Sequence, residues 1–250
     1  MRLTDASVAI RPRSAWEAID LGVLLARRHA GLLMLSWAAV TLPLFALLSA
    51  LLWRYPSLAV LLFWWLKPAW ERLPLHILSR SLFGEVPTLR EALRALPRLL
   101  KPQLLASLTW RRFSLSRSLK LPVDVLEGLR GRAARQRKGL LSRRVSSAAR
   151  WQTLVWLHLE GILWLSLFGL LAMLVPSSMW PEGDDMWQRL TQAPLWLSLL
   201  LYLPLLACSL LLEPLYVAGG FMLYIKRRTD LEAWDVELQL RRLARAHAAG

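Results

Sequence analysis

The sequence predicts an all-α integral membrane protein: four transmembrane helices as two parallel-related helical hairpins, with amphipathic helices on the cytoplasmic surface. The first observation behind this is composition. The 250 residues are 56% hydrophobic and 20% charged, with mean hydropathy +0.38. A soluble domain is roughly 45–50% apolar. The second is that the apolar residues fall in four long runs, and a bilayer core requires about 20 residues per crossing. The third is that lysine and arginine crowd into alternate connections, as they do in cytoplasmic loops. This much apolar surface excludes a disordered chain. Cys208 is the only cysteine, which excludes an intrachain disulfide scaffold, thiolate zinc sites and iron–sulfur clusters.

Residues 1–29 read as a cytoplasmic amphipathic N-terminal helix. Ser14 and Glu17 have the spacing of a capping box, in which the hydroxyl takes a free N–H and the carboxylate reaches back. Trp16, Ile19, Val23 and Leu24 then share one helical face, with Glu17, Asp20, Arg27 and Arg28 away from it. Such a helix lies on the membrane surface. Residues 30–84 form the first transmembrane hairpin. Its first span, 30–53, carries no charge, and it is too long and starts too late for a cleaved signal. Its second span, from residue 57, is apolar to Leu66, meets Lys67, Pro68, Glu71 and Arg72, and resumes through 73–83.

Residues 85–150 are a basic cytoplasmic helical segment. Thr88 and Glu91 repeat the capping box. Leu104, Leu105, Leu108 and Trp110 suggest an interfacial helix, and residues 130–150 suggest another that continues into the third span. Residues 151–225 form the second hairpin, around an acidic periplasmic loop at 176–193. Residues 226–250 are a cytoplasmic amphipathic C-terminal helix, opened by a third box at Thr229 and Glu232. The two hairpins echo each other. Lys67-Pro68-Ala69-Trp70 matches Glu213-Pro214-Leu215-Tyr216, and copies running in the same direction are related by an axis along the membrane normal.

Orientation follows the basic residues. Segment 85–150 holds sixteen lysines and arginines against four acids, so it lies inside. Loop 176–193 holds Glu182, Asp184 and Asp185 against Arg189, so it lies outside, and both termini are cytoplasmic. Indoles favour the headgroup level. Trp53, Trp180, Trp187 and Trp196 fall at the outer boundary, and Trp16, Trp110, Trp151 and Trp234 at the inner one. The net charge of +15 is therefore mostly topological. The run Arg130, Arg132, Arg135, Arg137, Lys138, Arg143 and Arg144 suits anionic phospholipid headgroups or the acidic face of a partner protein. No nucleic-acid module or set of stacking aromatics accompanies it.

The polar residues inside the apolar runs carry the most information, because an ionised group in hydrocarbon needs a partner or water. They are Lys67, Glu71, Arg72, His158, Glu160 and Glu213. Lys67 and Glu213 stand at equivalent places with opposite sign, so they meet if the two hairpins share an axis. Lys67 can also pair locally with Glu71, four residues along. Pro68 and Pro214 each free a carbonyl that needs another donor in lipid. No nucleophile elbow, phosphate loop or metal-ligand spacing is present. The sequence therefore points away from an enzyme, with no catalytic or metal residues and no cofactor expected.

The stretches Leu121-Pro122-Val123 with Leu126-Glu127-Gly128-Leu129-Arg130-Gly131, and Arg227-Arg228-Thr229 with Leu231-Glu232-Ala233-Trp234-Asp235-Val236-Glu237-Leu238, carry a likeness over most of the chain. On them the chain resembles an uncharacterised family of multi-span proteobacterial inner-membrane proteins, often encoded near MoxR-type ATPases. The resemblance implies a multi-pass protein of the bacterial inner (plasma) membrane and a part in a membrane complex. The expected function is a non-enzymatic scaffold or partner subunit, with membrane or cytoplasmic protein partners and oligomerisation left open. The alternative is a small transporter or channel using Lys67 and Glu213.

Overall fold

Where the chain is apolar for more than five turns it forms a single rod, and where charge and proline interrupt it the rod breaks. The computed structural model describes residues 13–174 and 195–232, and among them every regular element is helical. The order is α1 (Ala15–Arg28), α2 (Ala30–Leu51), α3 (Pro56–Trp70), α4 (Arg72–Leu82), α5 (Leu89–Leu100), α6 (Leu104–Leu108), a 3₁₀ turn at Trp110–Phe113, α7 (Arg117–Val125), α8 (Gly131–Ser142), α9 (Ser146–Leu174) and α10 (Leu195–Glu232). The acidic loop 176–193 with Trp180 and Trp187, the side chain of Trp196, and the C-terminal residues 233–250 with Trp234 lie outside the described residues.

Three helices are long and apolar enough to cross a membrane: α2 over Ala30–Leu51, α9 over Ser146–Leu170 and α10 over Tyr202–Glu232. The second apolar run of the sequence divides instead into α3, of 15 residues, and α4, of 11. At 1.5 Å per residue α3 reaches about 22 Å, short of the ~30 Å hydrocarbon core. The cause is local. Pro68 and Pro74 have no N–H with which to close the turns at Trp64 and Trp70, and Lys67, Glu71 and Arg72 turn to polar partners.

α10 is the axis of the molecule. It packs against α1, α9, α7, α4, α2 and α3. Of its most apolar window 72% is buried, against 28% for α2 and 0% for α9, so α9 is a flank and α10 the centre. The larger apolar core surrounds the second half of α10, where Phe221, Leu223 and Tyr224 meet Leu73, Ile77, Leu78, Leu119 and Leu141. A smaller cluster joins α2, α3 and α10 through Phe45, Phe63 and Leu206, with Phe45 and Phe63 edge to face at 5.4 Å between centroids.

Four local expectations change in the structure. The packed face of α1 is Ala18, Ile19, Gly22, Leu25 and Ala26, whereas Trp16 and Leu24 are exposed. Small residues won because they let two backbones meet: a Cβ on Gly22 would lie 2.5 Å from the Ala218 carbonyl oxygen. The interfacial helix around residue 108 is a single five-residue turn of α6 followed by the 3₁₀ turn. The helix from residue 130 does not run into the third span; it stops at Ser142, and Arg144 takes φ of 71° before α9 begins at Ser146. Thr229 starts no new helix, because α10 continues through it and its hydroxyl donates to the Ile225 carbonyl at 3.0 Å. The other two caps form. Ser14 accepts from the Glu17 N–H at 3.1 Å, and Thr88 and Glu91 make the full reciprocal box.

Candidate functional site

The site grows out of Pro68. A proline inside a helix leaves the carbonyl four residues earlier without its donor. That carbonyl belongs to Trp64, and the Arg112 guanidinium of the 3₁₀ turn donates to it at 2.9 Å while lying 4.0 Å over the Trp64 ring. One residue before Pro68, Lys67 is almost fully buried. Its Nζ donates to both oxygens of Glu160 on α9, at 2.7 and 3.0 Å, and forms an ion pair with Glu213 on α10. Lys67 and Glu213 therefore meet, with Glu160 as a third member.

Glu71 does not take Lys67. It pairs with Arg117 of α7 at 2.8 Å. Arg117 lies 5.3 Å from the Tyr216 ring centroid; the Tyr216 hydroxyl is 3.1 Å from that of Thr153, which donates to the Leu115 carbonyl at 2.6 Å. Three carboxylates, from Glu71, Glu160 and Glu213, thus face three cations, from Lys67, Arg112 and Arg117. They come from α3, the residue that joins it to α4, the 3₁₀ turn, α7, α9 and α10. Burying charge is costly unless it is paired; Lys67 and Arg117 meet carboxylates here, whereas Arg112 is held by the Trp64 carbonyl and ring. Burial opposes the charge on Arg117, but Glu71, Tyr216 and Glu213 outweigh it and hold the guanidinium more firmly protonated than usual. A cavity of about 210 Å³ lies among these side chains, and Glu213 Oε2 and the Nε atoms of Arg112 and Arg117 find no hydrogen-bond partner there.

The other polar residues of the apolar runs go elsewhere. Arg72 is buried and turned away. It donates to the Leu99 and Pro102 carbonyls at 2.7 and 2.6 Å and to the Ser107 hydroxyl at 3.1 Å, so it caps the carbonyl end of α5. His158 is exposed and meets the Leu154 carbonyl of its own helix at 2.7 Å, apart from Glu160.

A second cavity, of about 830 Å³, adjoins the first and shares Ser114 and Arg117 with it. Pro68 and Glu71 line its floor; α6, α7 and α8 line its walls. Asp124 is held on one wall by Lys138, at 2.6 and 2.7 Å, and by Arg111 at 3.1 Å. Burial pulls Lys138 below the ordinary lysine value, and Asp124 only partly offsets this against Arg111 and Lys120. Burial and the neighbouring Arg111 lower Lys120 too. Of the basic run read as a surface, Arg130, Arg135 and Lys138 line this cavity. Arg137 bonds Glu127, at 2.9 to 3.1 Å, and Glu232. Arg132, Arg143 and Arg144 are exposed outside the cavity. Among the described residues no group of three or more His, Cys, Asp or Glu is placed to hold a metal.

Compared with family models, curated proteins and solved structures, the chain matches none. Sequence reasoning missed Arg112 and Arg117, which it counted as topological charge. Two signals pointed to them. Once Arg72 is set aside, Lys67 is one cation against three buried acids, and the Trp64 carbonyl needed a donor.

Proposed function

We propose that this chain is a multi-pass protein of the bacterial inner membrane with four crossings, the second made by α3 and α4 together, and both termini in the cytoplasm. We read it as a non-enzymatic scaffold or partner subunit of a membrane complex. The observation that carries this reading is how the 85–150 segment is held. It is pinned to α3 and the residue after it by Arg112 on Trp64 and Arg117 on Glu71, to α9 by Thr153 on Leu115 and to α10 by Arg137 on Glu232. A segment fixed this way is a preformed platform, and α5 turns Arg90, Arg94 and Arg98 outward from it. Such a face suits acidic protein partners and anionic headgroups.

The topology is tested first. Cys208 is the only cysteine and is buried, so Gln136→Cys supplies the one reactive thiol. A membrane-impermeant maleimide is expected to label it in inside-out vesicles and to leave it unlabelled in intact spheroplasts. Labelling from the periplasmic side overturns the orientation. Mild-detergent purification then tests the scaffold role: a partner recovered reproducibly with the wild type, and lost with Arg90→Glu/Arg94→Glu/Arg98→Glu, supports it. Recovery of none counts against it.

A second reading, a small transporter or channel, is favoured by one observation. Glu213 keeps an unpaired oxygen beside a cavity that also contacts Lys67 and Glu160. Buried charges of this kind mark ion or proton pathways in membrane proteins. Reconstituted vesicles are then expected to show flux that Glu213→Gln abolishes, and impermeable wild-type vesicles remove this reading.

A further inference from the structure

The 830 Å³ cavity has an unbalanced lining. Six cations face it, Arg111, Arg117, Lys120, Arg130, Arg135 and Lys138, against the carboxylates of Glu71 and Asp124. Both carboxylates are already engaged, Glu71 by Arg117 and Asp124 by Lys138 and Arg111. The remaining three cations have no acid to meet. Lys120 reaches only the Ser114 hydroxyl, at 3.5 Å, and among the described residues no ion pair is formed by Arg130 or Arg135. Lys120 is half-buried, whereas Arg130 and Arg135 are exposed on the cavity's lining; cations gathered around a concave space without counter-charges repel one another, less so where water screens them, and an anion relieves that repulsion. The volume falls within the roughly 300–1,000 Å³ of small-molecule sites. Arg117 Nε and the Ser142 hydroxyl are buried without partners on its lining, so donors are available inside as well as at the mouth.

The rim says which anion. Trp110 lines the cavity and is 71% exposed; close to it along the chain, Leu105 is 78% exposed and Phe113, on the lining of the adjoining smaller cavity, is 71% exposed. An indole with bulky apolar neighbours at the edge of a basic hollow has the character of a headgroup-level surface. The pattern sets an apolar approach next to a phosphate-sized concentration of positive charge.

We propose that this cavity binds the headgroup of an anionic phospholipid, and specifically a phosphomonoester, with its acyl chains lying along Trp110, Leu105 and Phe113. The proposal rests on the reading of segment 85–150 as facing the cytoplasmic leaflet. A phosphomonoester carries about −1.5 to −2 charges at neutral pH, which suits three unmatched cations better than a singly charged diester does. Lys120, Arg130 and Arg135 supply charge-assisted hydrogen bonds to its oxygens. Arg132, Arg143 and Arg144, which do not line the cavity, add only diffuse attraction.

The test uses the full chain in a neutral detergent, titrated by calorimetry with short-chain phosphatidic acid, the corresponding phosphatidylcholine, and inorganic phosphate. Phosphatidic acid is expected to bind at least about tenfold more tightly than either other probe, the scale of one charge-assisted bond. Lys120→Gln/Arg130→Gln/Arg135→Gln is expected to abolish that preference, while Arg132→Gln/Arg143→Gln/Arg144→Gln keeps it within roughly twofold, since surface charges at a distance are screened. Equal losses in the two triple variants overturn the cavity, because a diffuse basic surface explains them. Inorganic phosphate binding as tightly as the lipid overturns the lipid assignment in favour of a soluble anion. No preference over phosphatidylcholine overturns the site. The single variant Lys120→Gln, with a smaller loss expected, stands in if the triple variant does not fold. Binding in micelles is independent of which side of a membrane the segment faces, so a wrong orientation registers in the Gln136→Cys labelling and not here.

Discussion

Lys67→Met is expected to lower the stability of the detergent-solubilised protein by about 3–5 kcal/mol, the cost of leaving buried charges without their partner. Lys67 is 3% exposed and stands between Glu160 and Glu213. Its removal leaves two carboxylates facing each other in a space from which water is largely excluded. Glu213→Gln in the Lys67→Met background removes one of the stranded charges and is expected to recover part of the loss. Thermal unfolding midpoints of the four members of this double-mutant cycle give the coupling between the two positions directly. Additive effects, or a Lys67→Met protein as stable as the wild type, contradict the central role given to the cluster.

Gly22→Ala is expected to disrupt the packing of α1 on α10, although alanine is the better helix former. The added Cβ would sit 2.5 Å from the Ala218 oxygen, 2.7 Å from its carbonyl carbon and 2.8 Å from Gly219 Cα. All three are backbone atoms, so no side chain can swing aside and the helices must separate. Overpacking of this kind costs about 1–3 kcal/mol or more. Gly219 and Gly220 create the same closeness on the other side: a Cβ on Gly219 would meet the Gln152 amide of α9, and one on Gly220 would overlap Ser118 of α7. Gly139→Ala is the contrasting case, since nothing lies within 4 Å of the Cβ it would add. It is expected to stabilise α8 by up to ~1 kcal/mol through helix propensity alone. Midpoints that move the same way for both variants contradict this account of α1.

Several features were readable along the chain because the forces behind them act within a few residues. The apolar runs of α2, α9 and α10 follow from composition and length. The caps at Ser14 and Thr88 follow from a side chain reaching a backbone N–H three residues away. The need for a donor at the Trp64 carbonyl follows from Pro68. The identity of that donor did not follow, because Arg112 lies 48 residues on.

The same limit explains the corrections. The bulky face of α1 was the natural choice for a buried stripe by periodicity, but the glycines and alanine of α10 offered a closer fit to Gly22. Composition and periodicity by themselves determined that this chain is helical, rich in bilayer-length rods and basic between them. Tertiary structure alone decided that Lys67 joins Glu160, 93 positions away, that Glu71 turns to Arg117, and that half a dozen cations enclose a hollow. A helix is stabilised by neighbours in sequence, whereas a buried charge is stabilised by whichever opposite charge the folded chain brings within reach.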